Sequence, residues 1–287
     1  MILVTGAAGK TGLAVIQALR VGGAEVRALV RREEQVAAAA STGARETVVG
    51  DMRDARVLGS AHQGVTAVYH ICPNMSPDEV HIGRMMLAAA RGAGVTHFVY
   101  HSVLHPQTVG MPQHWNKLLV EAALFESGLP YTILQPASYM QNVLGARTAI
   151  LERGIYPVPY AVETRLSMVD LEDVGQVAAR VLTDAGHQGA IYELAGPEIL
   201  TPREVADVLS RALDRPVRAE EVTLDEWTAR ARGRGMGDYQ IRTLLKMFGY
   251  YNDYGFLGNP TVLASLLGRP PTSFQTFVSR TLLEGVG

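Results

Sequence analysis

The chain has 287 residues, of which 47% are hydrophobic, and a formal net charge of -2. This length is sufficient to bury a substantial core, in one large domain or in a domain with a smaller lobe. The near-neutral charge provides no basic surface for nucleic acid or for an anionic membrane. The sole cysteine, Cys72, excludes an intrachain disulfide and fits a reducing compartment. No apolar stretch reaches the ~18 residues of a membrane span, and the chain opens on strand-like residues rather than a signal peptide. We therefore expect a soluble cytoplasmic protein.

The N-terminal residues predict a strand, a glycine turn, a helix and a second strand. Met1–Val4 is a short apolar run that leads directly into a turn with three glycines. Apolar residues then recur at helical spacing as far as Gly22 and Gly23, and a second apolar run covers Val26–Val30. This order is that of a βαβ unit.

The glycine turn predicts a dinucleotide site. Gly6 would permit the tight turn, Gly9 the close approach of a pyrophosphate, and Gly12 the close packing of the helix. The spacing is Gly-x-x-Gly-x-x-Gly rather than the usual Gly-x-Gly-x-x-Gly, so a purely structural turn is the alternative. A P-loop is excluded, because Val4 stands where its first glycine would be. The cofactor contacts predicted from this turn are Thr5, Gly6, Ala8, Gly9, Lys10, Thr11 and Gly12.

Two arginines after the second strand favour NADP(H) over NAD(H). NAD sites place an acidic residue at this position, whereas Arg31 and Arg32 stand here and a guanidinium suits a ribose phosphate. The alternative is a solvated basic strand end, with Glu33 or Glu34 acting as the acid.

The ends of the next two strands provide further predicted cofactor contacts. Asp51 follows the third strand, where it could accept the adenine amino group. Its alternative role is a helix N-cap, which Asp54 would serve better. Met52 and, after the fourth strand, Cys72 and Pro73 complete this set. We do not expect Cys72 to be a nucleophile, because nothing in the sequence would lower the pKa of its thiol.

Six strands that alternate with helices predict the fold class α/β, with a Rossmann-type doubly wound parallel sheet and helices on both faces. We expect a nucleotide-binding domain at residues 1–142 and a smaller C-terminal substrate lobe at 143–287, parts of which return to the sheet. Aromatic and Met side chains of the lobe would line a substrate cleft or fill the lobe's own core. These residues are Trp227, Met236, Met247, Phe248, Tyr250 and Tyr251.

The whole pattern resembles the NmrA-like family of atypical short-chain dehydrogenases. The resemblance rests on the glycine turn, Gly50-Asp51, the fifth strand ending at Ser102, Lys117 and the segment 136–142, and it extends to Ser167–Val174 and Leu266–Ser273. It implies that the three glycines hold the pyrophosphate and that Arg31 holds the ribose phosphate. It also implies that Lys117 faces the nicotinamide ribose as a clamp or a proton donor, and that Pro136 and the segment Tyr139 to Asn142 form the nicotinamide wall.

One departure concerns proton transfer. Ordinary short-chain dehydrogenases carry Tyr-x-x-x-Lys, but Gln113 stands four residues before Lys117. Ser102 keeps the place of the usual serine. Candidate proton donors are therefore Lys117, His105, His114, Tyr139 and water, where Lys117 as a solvated lysine and His114 as a surface histidine are the alternatives. His97, His101 and His105 lie in a strand-like segment without a carboxylate, so we expect no metal.

The sequence favours an NADPH-dependent reductase that passes hydride to a quinone-like or other conjugated small molecule. The alternative is a non-catalytic NADP-binding redox sensor that docks a partner protein. A sugar-nucleotide epimerase ranks third, because that chemistry normally needs the tyrosine. A homodimer is compatible with the sequence, and no nucleic acid or membrane partner is expected.

Overall fold

The computed structural model describes residues 1–282. The chain divides into two compact units. The first comprises Met1–Thr108, Gln113–Pro136 and Leu171–Glu193. The second comprises Val109–Pro112, Ala137–Asp170 and the residues from Leu194 onward.

The elements of both units follow in chain order. The strands are β1 (Ile2–Val4), β2 (Val26–Val30), β3 (Glu46–Val49), β4 (Ala67–His70), β5 (His97–His101), β6 (Tyr131–Pro136), β7 (Ser138–Tyr139), β8 (Ile155–Val158), β9 (Leu166–Val169), β10 (Ala190–Leu194), β11 (Ile199–Leu200) and β12 (Arg218–Glu221). The α-helices are α1 (Lys10–Val21), α2 (Val36–Thr42), α3 (Ala55–His62), α4 (Glu79–Gly92), α5 (Pro112–Glu126), α6 (Arg147–Arg153), α7 (Leu171–Thr183), α8 (Pro202–Leu213), α9 (Leu224–Gly233), α10 (Asp238–Tyr254), α11 (Thr261–Leu267) and α12 (Phe274–Leu282). Short 3-10 helices cover Glu33–Gln35 and Met140–Ala146.

The first unit contains a seven-stranded sheet in the order β10-β6-β5-β4-β1-β2-β3. Strands β1 to β6 pair in parallel, with Val4 opposite both Ala28 and Tyr69. The chain winds outward from β1 in one direction and from β4 in the other, so the order reverses between these two strands. Ligands of doubly wound sheets bind outside the carboxyl ends of the strands at such a reversal.

Helices cover both faces of this sheet. On one face, α3, α4 and α5 contribute Leu58, Met86 and Leu124 to a buried cluster with strand residues such as Phe98 and Ile133. On the other face α1 packs against α7. That approach is close, because a Cβ at Gly175 would lie 2.7 Å from the carbonyl oxygen of Ala14. The predicted Rossmann-type α/β class is confirmed, and β10 adds a seventh strand to the six.

The second unit has two small sheets and a core of its own. One sheet has the order β11-β9-β7 and the other pairs β8 with β12. Helices α8 and α12 pack together over a cluster that includes Leu209, Phe274 and Phe277. Helix α8 begins with a capping box, in which the side chains of Thr201 and Glu204 bond to each other's backbone amides and Pro202 is the first helical residue.

The aromatic residues of the second unit contact one another. Phe248 and Tyr251 are buried. Phe248 meets the Trp227 ring edge-on at a centroid distance of 4.8 Å, and Tyr251 stacks on Phe256 at 5.1 Å. Tyr160 lies within 6.3 Å of both buried rings. For Phe248 and Tyr251 the structure therefore favours the core role over the lining of a cleft.

Candidate functional site

The glycine turn joins β1 to α1 and leaves no room for larger residues. Gly6 has a φ of +58°, which L side chains rarely adopt. A Cβ on Gly12 would lie 2.5 Å from the Gly6 carbonyl oxygen and 2.7 Å from the Ala7 Cα. Any side chain at Gly12 would therefore displace backbone rather than a flexible neighbour. The turn is held against β4 by Thr5, whose hydroxyl lies 2.9 Å from His70 Nδ1 and donates to the Ile71 carbonyl.

The N-terminus of α1 can bind an anion. The Leu13 amide makes the first i to i−4 bond of the helix, to the carbonyl of Gly9. The amides of Lys10, Thr11 and Gly12 precede that bond, so they have no acceptor within the helix. The first turn has no acidic side chain. These amides and the helix dipole together suit a pyrophosphate.

Charged residues surround the ends of β2 and β3. The Asp51 carboxylate binds the Arg53 guanidinium through both oxygens, at 3.0 and 2.7 Å, and accepts the Arg53 amide. Arg31 Nη2 lies 3.8 Å from the same carboxylate, and its side chain is 66% exposed. Hydrogen bonds from Arg53 hold the pKa of Asp51 at about 2. Asp51 therefore stays ionised beside Arg31, and it would share its oxygens between Arg53 and an adenine amino group.

Arg32 and Asp54 lie beside the same strand ends, and each has a defined contact. Arg32 Nε lies 2.6 Å from Glu34, and the amides of Arg31 and Arg32 both donate to Gln35 Oε1. The Gln35 side chain thus fixes the backbone from which both arginines project. The Asp54 side chain accepts the Arg56 amide at the start of α3, so its predicted N-cap role is confirmed.

The remaining contacts predicted near β3 and β4 differ in exposure. Met52 packs against the buried cluster of the sheet, Cys72 is buried and Pro73 is exposed. Burial and the neighbouring Glu79 carboxylate raise the pKa of the Cys72 thiol above its ordinary value. A thiol in this state is not a nucleophile, as the sequence predicted.

Lys117 lies in a buried ion pair at the carboxyl end of β5. Its Nζ is 2.9 Å from Glu79 Oε1 and donates to the His101 carbonyl oxygen at 3.2 Å. It also lies 5.4 Å from the centroid of the Tyr100 ring. The side chains of Lys117 and Glu79 are 16% and 3% exposed. The alternative of a solvated helix lysine is therefore wrong.

Glu79 is a site residue that the sequence did not reveal. It is the first residue of α4 and accepts the Tyr100 hydroxyl at 3.0 Å as well as Lys117. An acidic residue in the first turn of a helix usually complements the helix dipole in solvent. Only the fold shows that this turn faces α5 and β5.

Ser102 belongs to a second buried carboxylate cluster. Its hydroxyl donates to Glu121, and the Gln135 amide donates to both oxygens of that carboxylate at 2.9 and 3.2 Å. Burial raises the pKa of Glu121. Ser102 itself is 2% exposed. Its hydroxyl proton already has an acceptor in the first unit, because it is directed to Glu121.

Burial lowers the pKa of three histidines, His70, His101 and His114. His114 is buried rather than at the surface, with Nδ1 3.2 Å from the His105 carbonyl oxygen. Burial lowers the pKa of His114 to about 4, and that of His70 and His101 to about 3. His114 is thus a poor general acid at pH 7. Within residues 1–282, His, Cys, Asp and Glu side chains form no group that could hold a metal ion.

The residue four positions before Lys117 is a buried amide. Gln113 is 8% exposed, and neither Nε2 nor Oε1 has a hydrogen-bond partner among the described residues. An amide cannot exchange a proton as a tyrosine does, so position 113 contributes no acid.

Of the residues predicted to contact the nicotinamide, Pro136 belongs to the first unit, and Tyr139 and Asn142 belong to the second. Pro136 is buried at the end of β6, where its carbonyl accepts the Leu104 amide in the first unit. Tyr139 lies in β7 of the second unit, opposite Val169, and is half-buried. Asn142 is exposed and contacts the Ser138 hydroxyl at 3.4 Å. The roles of all three towards a cofactor stay predictions.

Comparison with known proteins gives the family. The profile of the NmrA-like family matches residues 1–274. The chain belongs to the NmrA-like family. It is 33% identical over 284 residues to the NAD(P)H azoreductase of Xenophilus azovorans, covering 96% of each chain. No described helix of this NmrA-like protein is long and apolar enough to cross a membrane.

Solved NmrA-like structures agree with this fold. The NADPH-dependent quinone oxidoreductase from Escherichia coli, in complex with NADPH, has a TM-score of 0.85 at 28% identity, covering 98% of this chain and all of that one. The Citrobacter sp. triphenylmethane reductase, in complex with NADP(H), has a TM-score of 0.83 at 26% identity, covering 97% and 99%.

Proposed function

We propose that the protein is an NADPH-dependent reductase that transfers hydride to a quinone-like or other conjugated small molecule. The proposal rests mainly on the position of Lys117, which is buried and ion-paired at the carboxyl end of β5. The glycine turn, which suits a pyrophosphate, follows β1 of the same sheet. The similar proteins act on quinones, azo compounds and triphenylmethane dyes by name. These acceptors share a conjugated aromatic or quinonoid system, which is the substrate class we infer.

The residues of the first unit fit NADPH. The turn at Gly6, Gly9 and Gly12 and the first amides of α1 would hold the pyrophosphate. Arg31 and Arg32 would hold the ribose phosphate, because a guanidinium forms strong charge-assisted bonds with phosphate oxygens. When bound, NADPH supplies the hydride. The protein then has to orient the acceptor, exclude water and manage protons.

Lys117 would orient the nicotinamide ribose. Its ammonium donates hydrogen bonds and accepts none, and it would donate to a ribose hydroxyl. It can also supply a proton to a reduced acceptor. Two other candidates are less suited to this step. His114, with a pKa of about 4, is already deprotonated at pH 7, and the Ser102 proton is directed to Glu121.

Quinone-like acceptors suit a site without the tyrosine. After the hydride arrives, the reduced quinone is a monoanion that needs one proton, which Lys117 or water can supply. A buried amide at position 113 does not impede this, because no proton has to pass through it. Reduction of a simple ketone, which needs protonation of a strongly basic alkoxide, would be slow at this site.

The test is anaerobic oxidation of NADPH, followed by nicotinamide absorbance, against quinones, an azo dye and a simple ketone. We expect turnover with the conjugated acceptors and a lower KM for NADPH than for NADH. NADPH affinity is titrated in parallel by nicotinamide fluorescence. Tight NADPH binding without turnover on any acceptor would instead indicate the redox sensor. Size-exclusion chromatography of the same sample tests the predicted homodimer.

A further inference from the structure

Glu79 occupies a position that charge stabilisation alone does not explain. Its carboxylate is 3% exposed, and burial of an ionised group is costly unless it is paired. A buried ion pair rarely stabilises a fold more than well-packed apolar residues of the same size. The pair is therefore weak evidence that Glu79 stabilises the fold, and it points to a role in fixing the position of the Lys117 ammonium.

The contacts of Glu79 determine where the Lys117 ammonium lies. Oε1 of Glu79 accepts Lys117 Nζ at 2.9 Å and the Tyr100 hydroxyl at 3.0 Å. The Tyr100 ring lies under the ammonium, and His70 stacks on that ring at a centroid distance of 5.9 Å. The position of the carboxylate is in turn fixed by the backbone of α4, of which Glu79 is the first residue. The ammonium is thus held from three elements, α4, β5 and its own helix α5.

A lysine side chain without such contacts samples many rotamers. In Tyr-x-x-x-Lys enzymes the tyrosine and lysine lie on one face of one helix, and here the tyrosine place holds Gln113. Glu79, on the different helix α4, provides the carboxylate that Lys117 Nζ contacts at 2.9 Å.

We propose that Glu79 is a positioning residue, whose buried carboxylate holds the Lys117 ammonium at the carboxyl end of β5 in the orientation that the reductase reaction uses. This inference rests on the proposed function in one respect, the use of Lys117 in turnover. Glu79 itself does not touch the reacting atoms; it acts through Lys117. Its removal should not lower kcat further once Lys117 is gone.

The experiment is a double-mutant cycle on the full chain with Glu79→Gln, Lys117→Met and the pair of substitutions. The matched control is Glu126→Gln, an exposed residue at the end of α5. For each protein we measure kcat with NADPH and menadione, NADPH affinity and the midpoint of thermal unfolding. A displaced catalytic group can cost roughly 10²-fold in rate. We expect a loss of that order in Glu79→Gln, none in Glu126→Gln, and no further loss when Glu79→Gln is added to Lys117→Met.

Equal losses from Glu79→Gln in both backgrounds would overturn the inference, since they would indicate a general structural effect. An unchanged kcat in Glu79→Gln would overturn it as well. If Glu79→Gln does not fold, Tyr100→Phe replaces it, because that variant removes one hydrogen bond to the carboxylate and keeps the ion pair. A loss with Tyr100→Phe only when Lys117 is present supports the inference, and an equal loss in both backgrounds overturns it.

Failure of the proposed function gives a different result. If the wild type binds NADPH but does not oxidise it with any acceptor, the reductase is refuted. The cycle is then read in NADPH affinity. Coupling between Glu79 and Lys117 in that affinity would still support positioning, and additive effects would refute it.

Discussion

Replacement of Lys117 by Met should destabilise the protein strongly. The substitution keeps the length and apolar stem of the side chain but leaves the Glu79 carboxylate buried without its cation. Lys117 Nζ lies 2.9 Å from Glu79 Oε1. At this distance the Coulomb attraction between the two charges is about 6 kcal/mol for an effective dielectric constant of about 20. The dipole of α4 and the Tyr100 hydroxyl retain part of the stabilisation. We therefore expect a loss of about 3–5 kcal/mol, the usual cost of breaking a buried pair from one side.

Thermal unfolding measures this loss. For a chain of this size each kcal/mol corresponds to roughly 2–4 °C, so we expect a midpoint roughly 10 °C below that of the wild type. Lys246→Met, on the exposed surface of α10, is the matched control and should change stability by no more than about 0.5 kcal/mol. Adding Glu79→Gln to Lys117→Met should restore most of the lost stability, because the carboxylate without a cation is then gone. Equal midpoints for Lys117→Met and Lys246→Met would refute a buried pair.

Three further outcomes can be measured. Gly12→Ala should abolish NADPH binding, because its Cβ would lie 2.5 Å from the Gly6 carbonyl oxygen, whereas Gly59→Ala, with no atom within 4 Å of its Cβ, should bind normally in the same fluorescence titration. Arg31→Gln should raise the Kd for NADPH by roughly 10- to 100-fold and leave the Kd for NADH unchanged, since a hydrogen bond to a charged group contributes about 1.5–3 kcal/mol; equal changes for both cofactors would exclude a phosphate contact. The free energy of unfolding should fall as the pH drops from about 6.5 towards 4. His70, His101 and His114 have lowered pKa values in the folded chain, so the unfolded chain binds protons that the folded chain does not, at about 1.4 kcal/mol per pH unit for each group. A free energy of unfolding in urea that stays constant over this range would contradict the lowered pKa values.

The sheet could be predicted from sequence because its signals are local. Short apolar runs end at glycine or at charged residues, as at Val30 before Arg31, and the intervening helices have regular apolar spacing. The observed β2 has the bounds of the predicted apolar run Val26–Val30. The start of α8 is local in the same way, because Thr201, Pro202 and Glu204 carry the capping pattern.

The environment of Lys117 could not be predicted in the same way. Glu79 is 38 residues from Lys117 along the chain, and a first-turn glutamate has the same appearance in sequence whether it is solvated or buried. The Glu121 partner of Ser102 lies on α5 four residues after Lys117, which is the spacing of an ordinary surface ion pair. Burial, which sequence patterns indicate for apolar residues only, decides both cases.

His114 shows the same limit for acid–base chemistry. From its residue type it titrates near neutrality. In the structure burial lowers its pKa to about 4, so the histidine next to Gln113 is removed from the set of acids. The pKa of a group depends on its desolvation, which only the folded arrangement determines.

The most direct test of the account is a single anaerobic turnover of enzyme-bound NADPH with menadione, using cofactor that carries hydrogen or deuterium at the transferred position of the nicotinamide. Wild type and Lys117→Met/Glu79→Gln are compared, because we expect the double variant to keep its fold while it lacks the ammonium. We predict loss of nicotinamide absorbance in the wild type with one equivalent of menadione reduced, a slower rate with deuterium, and a rate at least about tenfold lower in the double variant. NADPH that stays bound and reduced in the wild type would contradict the reductase, and equal rates in the two proteins would contradict the role of Lys117.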